Sequence, residues 1–166
     1  MKQLILKFEH FEYDKDIYNA NITLVEDLYF DEVKASSLLG IEIKDSIDTQ
    51  SIIVKFEWLD SLYKLSEDFC FIPEANTLFF RSIYQWGVID VENKKLTRHE
   101  SAFNCPSITR YNNLILITDE LYAESVTLTG ERIDNVPIDP PYELQEFEDR
   151  IEYTSHVYGH QILKLR

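Results

Sequence analysis

The sequence predicts an all-β fold of repeated antiparallel hairpins with one short helix, in a single domain spanning residues 1–166. Three observations carry that prediction. Apolar residues alternate with polar ones over strand-length windows, a unit of about 37 residues recurs along the chain, and turn-forming residues stand where each unit reverses direction.

In chain order, Leu4, Leu6 and Phe8 share one side of an alternating segment, and Ile22 and Leu24 open a second strand that runs toward Phe30. Asp31 to Gly40 has an acidic start and a glycine stop, which predicts the helix. Ile41 and Ile43, followed by Ile52 and Val54, predict a degraded first copy of the repeat. Trp58 to Leu65 fits either a helix or an irregular loop.

The repeat is clearest over 69–166. Leu78-Phe-Phe80-Arg-Ser82, Leu114-Ile-Leu116-Ile-Thr118 and Ile151-Glu-Tyr153-Thr-Ser155 each alternate and close on a hydroxyl residue. Their first residues are 36 and 37 positions apart. Ile89 and Val91 answer to Val126 and Leu128, then to Leu163 and Leu165, at a shift of 37, and Leu96 answers to Ile133. Asn93-Lys94 and Thr129-Gly130-Glu131 supply tight-turn chemistry within the units. The strand Leu114 to Asp119, with Val126-Thr-Leu128-Thr-Gly130-Glu131 after it, resembles a β-propeller blade. That resemblance implies a small propeller, although a curved meander or sandwich of the same hairpins fits the strand count equally, because a blade typically takes about 40 residues. Repeat architectures commonly present binding surfaces.

Sixteen Lys and Arg against 30 Asp and Glu give a formal charge of −14. Such a balance argues against nucleic acid, whose phosphates require clustered cations, and favours attraction of a basic protein. The hydrophobic fraction of 45% suits a chain that buries roughly two thirds of its surface. Residues 1–10 hold only three consecutive apolar residues before Lys7, and no apolar run approaches the length of a membrane span. The expectation is a cytoplasmic protein without membrane association, whose Cys70 and Cys105 are reduced thiols.

Motifs for chemistry are sparse. His156 and His160 have a metal-ligand spacing for a helix, but Gly159 and the surrounding alternation place them on a hairpin, so no metal is expected. With four glycines the chain assembles neither a Walker loop nor a dinucleotide fingerprint, and no nucleophile elbow occurs. No cofactor and no enzymatic activity are expected. A carboxylate pair beside a tryptophan, as in a carbohydrate-active or other hydrolytic domain, remains the alternative, and a propeller-like interaction scaffold is another.

By size, acidity and missing catalytic motifs, the chain resembles bacterial immunity proteins that neutralise toxic nucleases. The resemblance implies a non-enzymatic inhibitor, monomeric or a small homo-oligomer, that occludes a basic toxin. The candidate contacts are the acidic clusters Glu143, Glu146, Glu148 and Asp149, then Glu12, Asp14 and Asp16, with Trp86 and Tyr122 as aromatic anchors near the ends of repeat units. Solvated charge and core packing, respectively, are the ordinary structural roles of such residues.

Overall fold

A computed structural model describes the backbone of residues 3–10, 22–25, 37–44, 49–57, 68–104 and 106–166. Fifteen strands make up these segments, so the expected all-β class holds. The strands are β1 (Gln3–His10), β2 (Ile22–Val25), β3 (Ser37–Lys44), β4 (Thr49–Glu57), β5 (Phe69–Ile72), β6 (Thr77–Arg81), β7 (Gln85–Asp90) and β8 (Lys95–Ser101). They continue as β9 (Ser107–Tyr111), β10 (Leu114–Thr118), β11 (Tyr122–Thr127), β12 (Arg132–Pro137), β13 (Tyr142–Glu146), β14 (Arg150–Ser155) and β15 (Gly159–Lys164).

Four sheets result: β1-β3-β4-β2, β5-β6-β7-β8, β9-β10-β11-β12 and β13-β14-β15. The last three are meanders in which each strand pairs antiparallel with its chain neighbour. The repeat falls on these meanders in phase. Leu78, Leu114 and Ile151 lie on the second strand of their sheets, and Ile89, Val126 and Leu163 on the third. Even an irregularity repeats, since the register slips between Val88 and Ile89 and again between Ser125 and Val126, 37 residues later.

The helix expected over Asp31–Gly40 is corrected where the structure describes it: residues 37–40 begin β3, and 31–36 lie outside the described residues. β3 pairs along its whole length with β1 on one side and β4 on the other, and two ladders outweigh the weak helical signals of a short acidic start. Among the described residues the one helical piece is a 3-10 turn at Pro73–Ala75. Within the first sheet Ile41 pairs with Ile52, which makes the degraded copy a hairpin. β2 departs from the antiparallel expectation by pairing parallel with β4, and the extension expected toward Phe30 lies outside the described residues, as does Trp58 to Leu65.

The turns follow their chemistry. Lys94 and Asn112 take left-handed φ of 52° and 54°, and Asp90 accepts hydrogen bonds from both the backbone N–H and the side-chain amide of Asn93. Those bonds hold the Asp90 carboxyl below the usual carboxylate range. Gly130 has φ +88°, and a Cβ there would come within 2.7 Å of Val88 Cγ2, so the turn between β11 and β12 can approach the second sheet only as glycine.

The core lies between sheets. Ile72, Phe79, Trp86 and Val88 of the second sheet pack on Ile115, Ile117 and Val126 of the third. On its other face the third sheet uses Leu114, Ala123 and Val136 to cover Ile151, Tyr153, Leu163 and Leu165 around the fourth. The third sheet is thus a central layer buried on both sides. This explains why β10 reads as a continuous apolar run, Leu-Ile-Leu-Ile. The outer strand β8 instead alternates regularly between exposed and part-buried residues.

Candidate functional site

The acidic cluster predicted from the sequence lies on β13 and the turn after it. Among the described residues β13 is an edge strand, paired only with β14, and from Glu143 onward all of it is exposed. Residues 133–149 include no Lys or Arg. Glu143 and Glu146 make no ion pair among the described residues. Glu148 lies 4.0 Å from Arg166, and Asp149 is bonded to Arg150 Nη1 at 3.1 Å.

Leu144 and Phe147 are exposed between these carboxylates. The Arg150 guanidinium stacks on the Phe147 ring at 4.1 Å and donates through Nε to Glu152 at 2.6 Å. The Glu152 carboxylate raises the Arg150 pKa further above its ordinary value. The arrangement is a strip of carboxylates, of which Glu143 and Glu146 have no ion pair among the described residues, broken by two apolar side chains along a strand that has no second partner strand among the described residues. Such a strip can accept Lys and Arg from a partner and can also extend its sheet by one strand. Leu144 and Phe147 were not singled out from the sequence, although their interleaving with Glu143, Glu146 and Glu148 is visible there.

The second acidic cluster, Glu12, Asp14 and Asp16, lies outside the described residues. Trp86 is corrected from a partner contact to a core residue. It is fully buried, and its Nε1 donates to the Tyr122 hydroxyl at 2.9 Å. Tyr122 is half-buried, and burial, before any neighbouring charge, pushes its hydroxyl pKa up. These two aromatics therefore couple the second sheet to the third. Proximity to the end of a repeat unit does not reveal which way a side chain faces when both faces of a sheet are covered.

A charged network closes over this pair. Arg98 of β8 lies with its guanidinium carbon 4.5 Å from the centre of the Trp86 ring. It donates to Glu124 at 2.7 Å, to Glu100 at 2.9 Å and to the Gly130 carbonyl at 3.1 Å. Arg132 reaches the same Glu124 oxygen at 2.6 Å, and that bond raises the Arg132 pKa. An open cleft of about 670 Å³ lies outside this network, lined in part by Thr97, Glu100, Thr129 and Glu131. The two guanidiniums beside it are balanced by two carboxylates, Glu124 and Glu100, so the cleft does not offer a ready anion site.

Among the described residues no group of three or more His, Cys, Asp and Glu is placed to hold a metal ion. His160 lies in β15, 3.7 Å from Glu152, while His156 is in the preceding turn. No helix among the described residues is long and apolar enough to cross a membrane.

No family model matches the chain, and neither does any curated protein. Among solved structures, the crystal structure of BamB from Moraxella catarrhalis is similar at 8% identity, covering 84% of this chain and 58% of that one, with a TM-score of 0.24. At that score the likeness carries no argument, and the all-β assignment rests on the strands themselves.

Proposed function

We propose that this chain is a non-enzymatic protein-binding module that holds a basic protein against the β13 edge of its fourth sheet. The observation that carries the reading is the exposed strip of Glu143, Glu146 and Glu148 around Leu144 and Phe147, on and just after a strand whose outer edge is unpaired among the described residues. Exposed carboxylates, Glu143 and Glu146 without ion pairs among the described residues and Glu148 only 4.0 Å from the exposed Arg166, steer a basic surface into place, and the apolar side chains give the complex its lifetime. Occlusion of a basic toxin, in the manner of an immunity protein, is the specific form that the size and the charge of −14 favour.

The test is affinity capture from the native lysate at low and moderate salt, followed by association kinetics with the captured protein. Reversal of Glu143, Glu146 and Glu148 to Lys should slow association about tenfold or more at low salt and flatten its salt dependence. An unchanged rate at low salt would remove β13 from the interface, and a captured partner with no basic surface would overturn the reading.

A further inference from the structure

The tips joining the second and third strands of the three meanders carry exposed apolar residues at a fixed interval: Tyr84, Leu121 and Tyr158, each 37 residues after the last. Their exposures are 47%, 42% and 42%. A repeat that buries Leu78, Ile115 and Ile151 could place any polar residue at these tips, yet each has a large apolar side chain turned to solvent. Phe103, in the connection leaving β8, and Val157, beside Tyr158, are exposed as well.

Hydrogen bonds show that these residues share one end of the stacked sheets. The Phe103 N–H donates to Asp119 at 2.6 Å, which ties the exit of the second sheet to the tip of the third. Ala123, the strand partner of Thr118 at the top of β10, lies in the same buried cluster as Tyr153, which ties this end of the third sheet to β14. Each tip is also fixed through its own carbonyl. Tyr84 accepts from the Ala102 N–H at 2.7 Å, and Leu121 accepts from the Ile138 N–H at 3.0 Å, in each case from the residue that follows the outer strand. The fourth sheet has no outer strand among the described residues, and there the Gln161 side-chain amide donates to the Tyr158 carbonyl at 2.7 Å in its place.

Among the described residues, the connections at this end carry carboxylates and no Lys or Arg. These segments, 82–84, 102–104, 119–121, 138–141 and 156–158, contain Glu120 and Asp139, the buried Asp119 that accepts from the Phe103 and Glu120 N–H groups, and His156. Arg81, which directly precedes the first of these segments, is bonded to Asp68 at 3.2 Å and to the Pro106 carbonyl at 2.8 Å.

We infer that this end is a docking surface for a protein segment in which Lys or Arg alternates with large apolar residues. Tyr84, Leu121 and Tyr158 serve as its three anchors. Tips already tied down lose little freedom on binding, and rigid aromatic side chains are efficient anchors. The inference stands apart from the β13 reading, because it uses different residues at the end of the sheets rather than along an edge.

The test is selection of a random peptide library displayed on phage against the full chain, with affinities of the enriched peptides then measured as synthetic peptides. Enrichment of Lys or Arg together with Trp, Phe or Leu is expected. The combined change Tyr84→Ser, Leu121→Ser and Tyr158→Ser should weaken binding about a hundredfold, while Tyr84→Phe with Tyr158→Phe should retain it. Reversal of Glu143, Glu146 and Glu148 to Lys should leave the affinity within about threefold, which separates this surface from the β13 strip. No enrichment, enrichment of acidic peptides, or peptides that bind a folded serine variant as tightly as the parent would each overturn the inference.

Discussion

Removing the Glu124 carboxylate is the sharpest perturbation of this fold, because one buried group bonds two guanidiniums from two different sheets. Its side chain is 2% exposed, against 14% for Arg98 and 50% for Arg132. Breaking a buried ion pair costs about 3–5 kcal/mol, since the remaining charge is left without compensation. Arg98 would keep Glu100 at 2.9 Å, and Arg132 can turn to water, so the lower end applies to Glu124→Ala, about 3 kcal/mol. Arg132→Ala removes only the exposed half of the network and should cost about 1 kcal/mol or less. Equilibrium urea unfolding at neutral pH measures both. With a slope of about 2 kcal/mol per molar, Glu124→Ala should lower the midpoint by about 1.5 M and Arg132→Ala by at most about 0.5 M. Because the Glu124–Arg98 bond is shielded from solvent, the difference should persist in high salt. If the two variants lose equal stability, both under about 1 kcal/mol, then the network does not join the second sheet to the third.

Two further outcomes follow from buried and close-packed groups. The Tyr153 hydroxyl is pushed up to about 12, chiefly by burial, so the folded protein holds this proton more tightly than the unfolded chain does. Its contribution is fully present below about pH 10 and is lost as pH rises from about 10 through about 12, by at most about 3 kcal/mol. Urea midpoints at about pH 9 and pH 11 should show the loss, and Tyr153→Phe should reduce it; equal midpoints in the parent would contradict it. Gly87→Ala would set a Cβ 2.4 Å from Phe80 Cζ and 2.6 Å from the Arg98 carbonyl, a cost of about 3 kcal/mol, whereas Gly159→Ala meets nothing within 4 Å and bears only the strain of φ +65°, about 1 kcal/mol. Thermal melting of the pair checks the ranking, and a Gly87 variant no worse than the Gly159 variant would refute it.

The sequence by itself determined the strands and their phase. Alternation and turn chemistry are local properties, and the 37-residue interval places Leu78, Leu114 and Ile151 on equivalent strands whatever surrounds them. It also located the Glu143–Asp149 cluster, because a run without Lys or Arg needs no packing to be recognised. The tertiary structure alone decided which side chains face outward. The third sheet is covered on both faces, so its apolar run bears no mark of direction, and Trp86 proves to be core while Leu121, one residue before Tyr122 of β11, stands at an exposed tip. Pairing decided the rest. Residues 37–40 became strand because β1 and β4 both offered them ladders, and β2 joined the far side of β4 in parallel, where no local signal could specify it. Facing and pairing depend on residues distant in the chain, and that is the information a single segment of sequence does not contain.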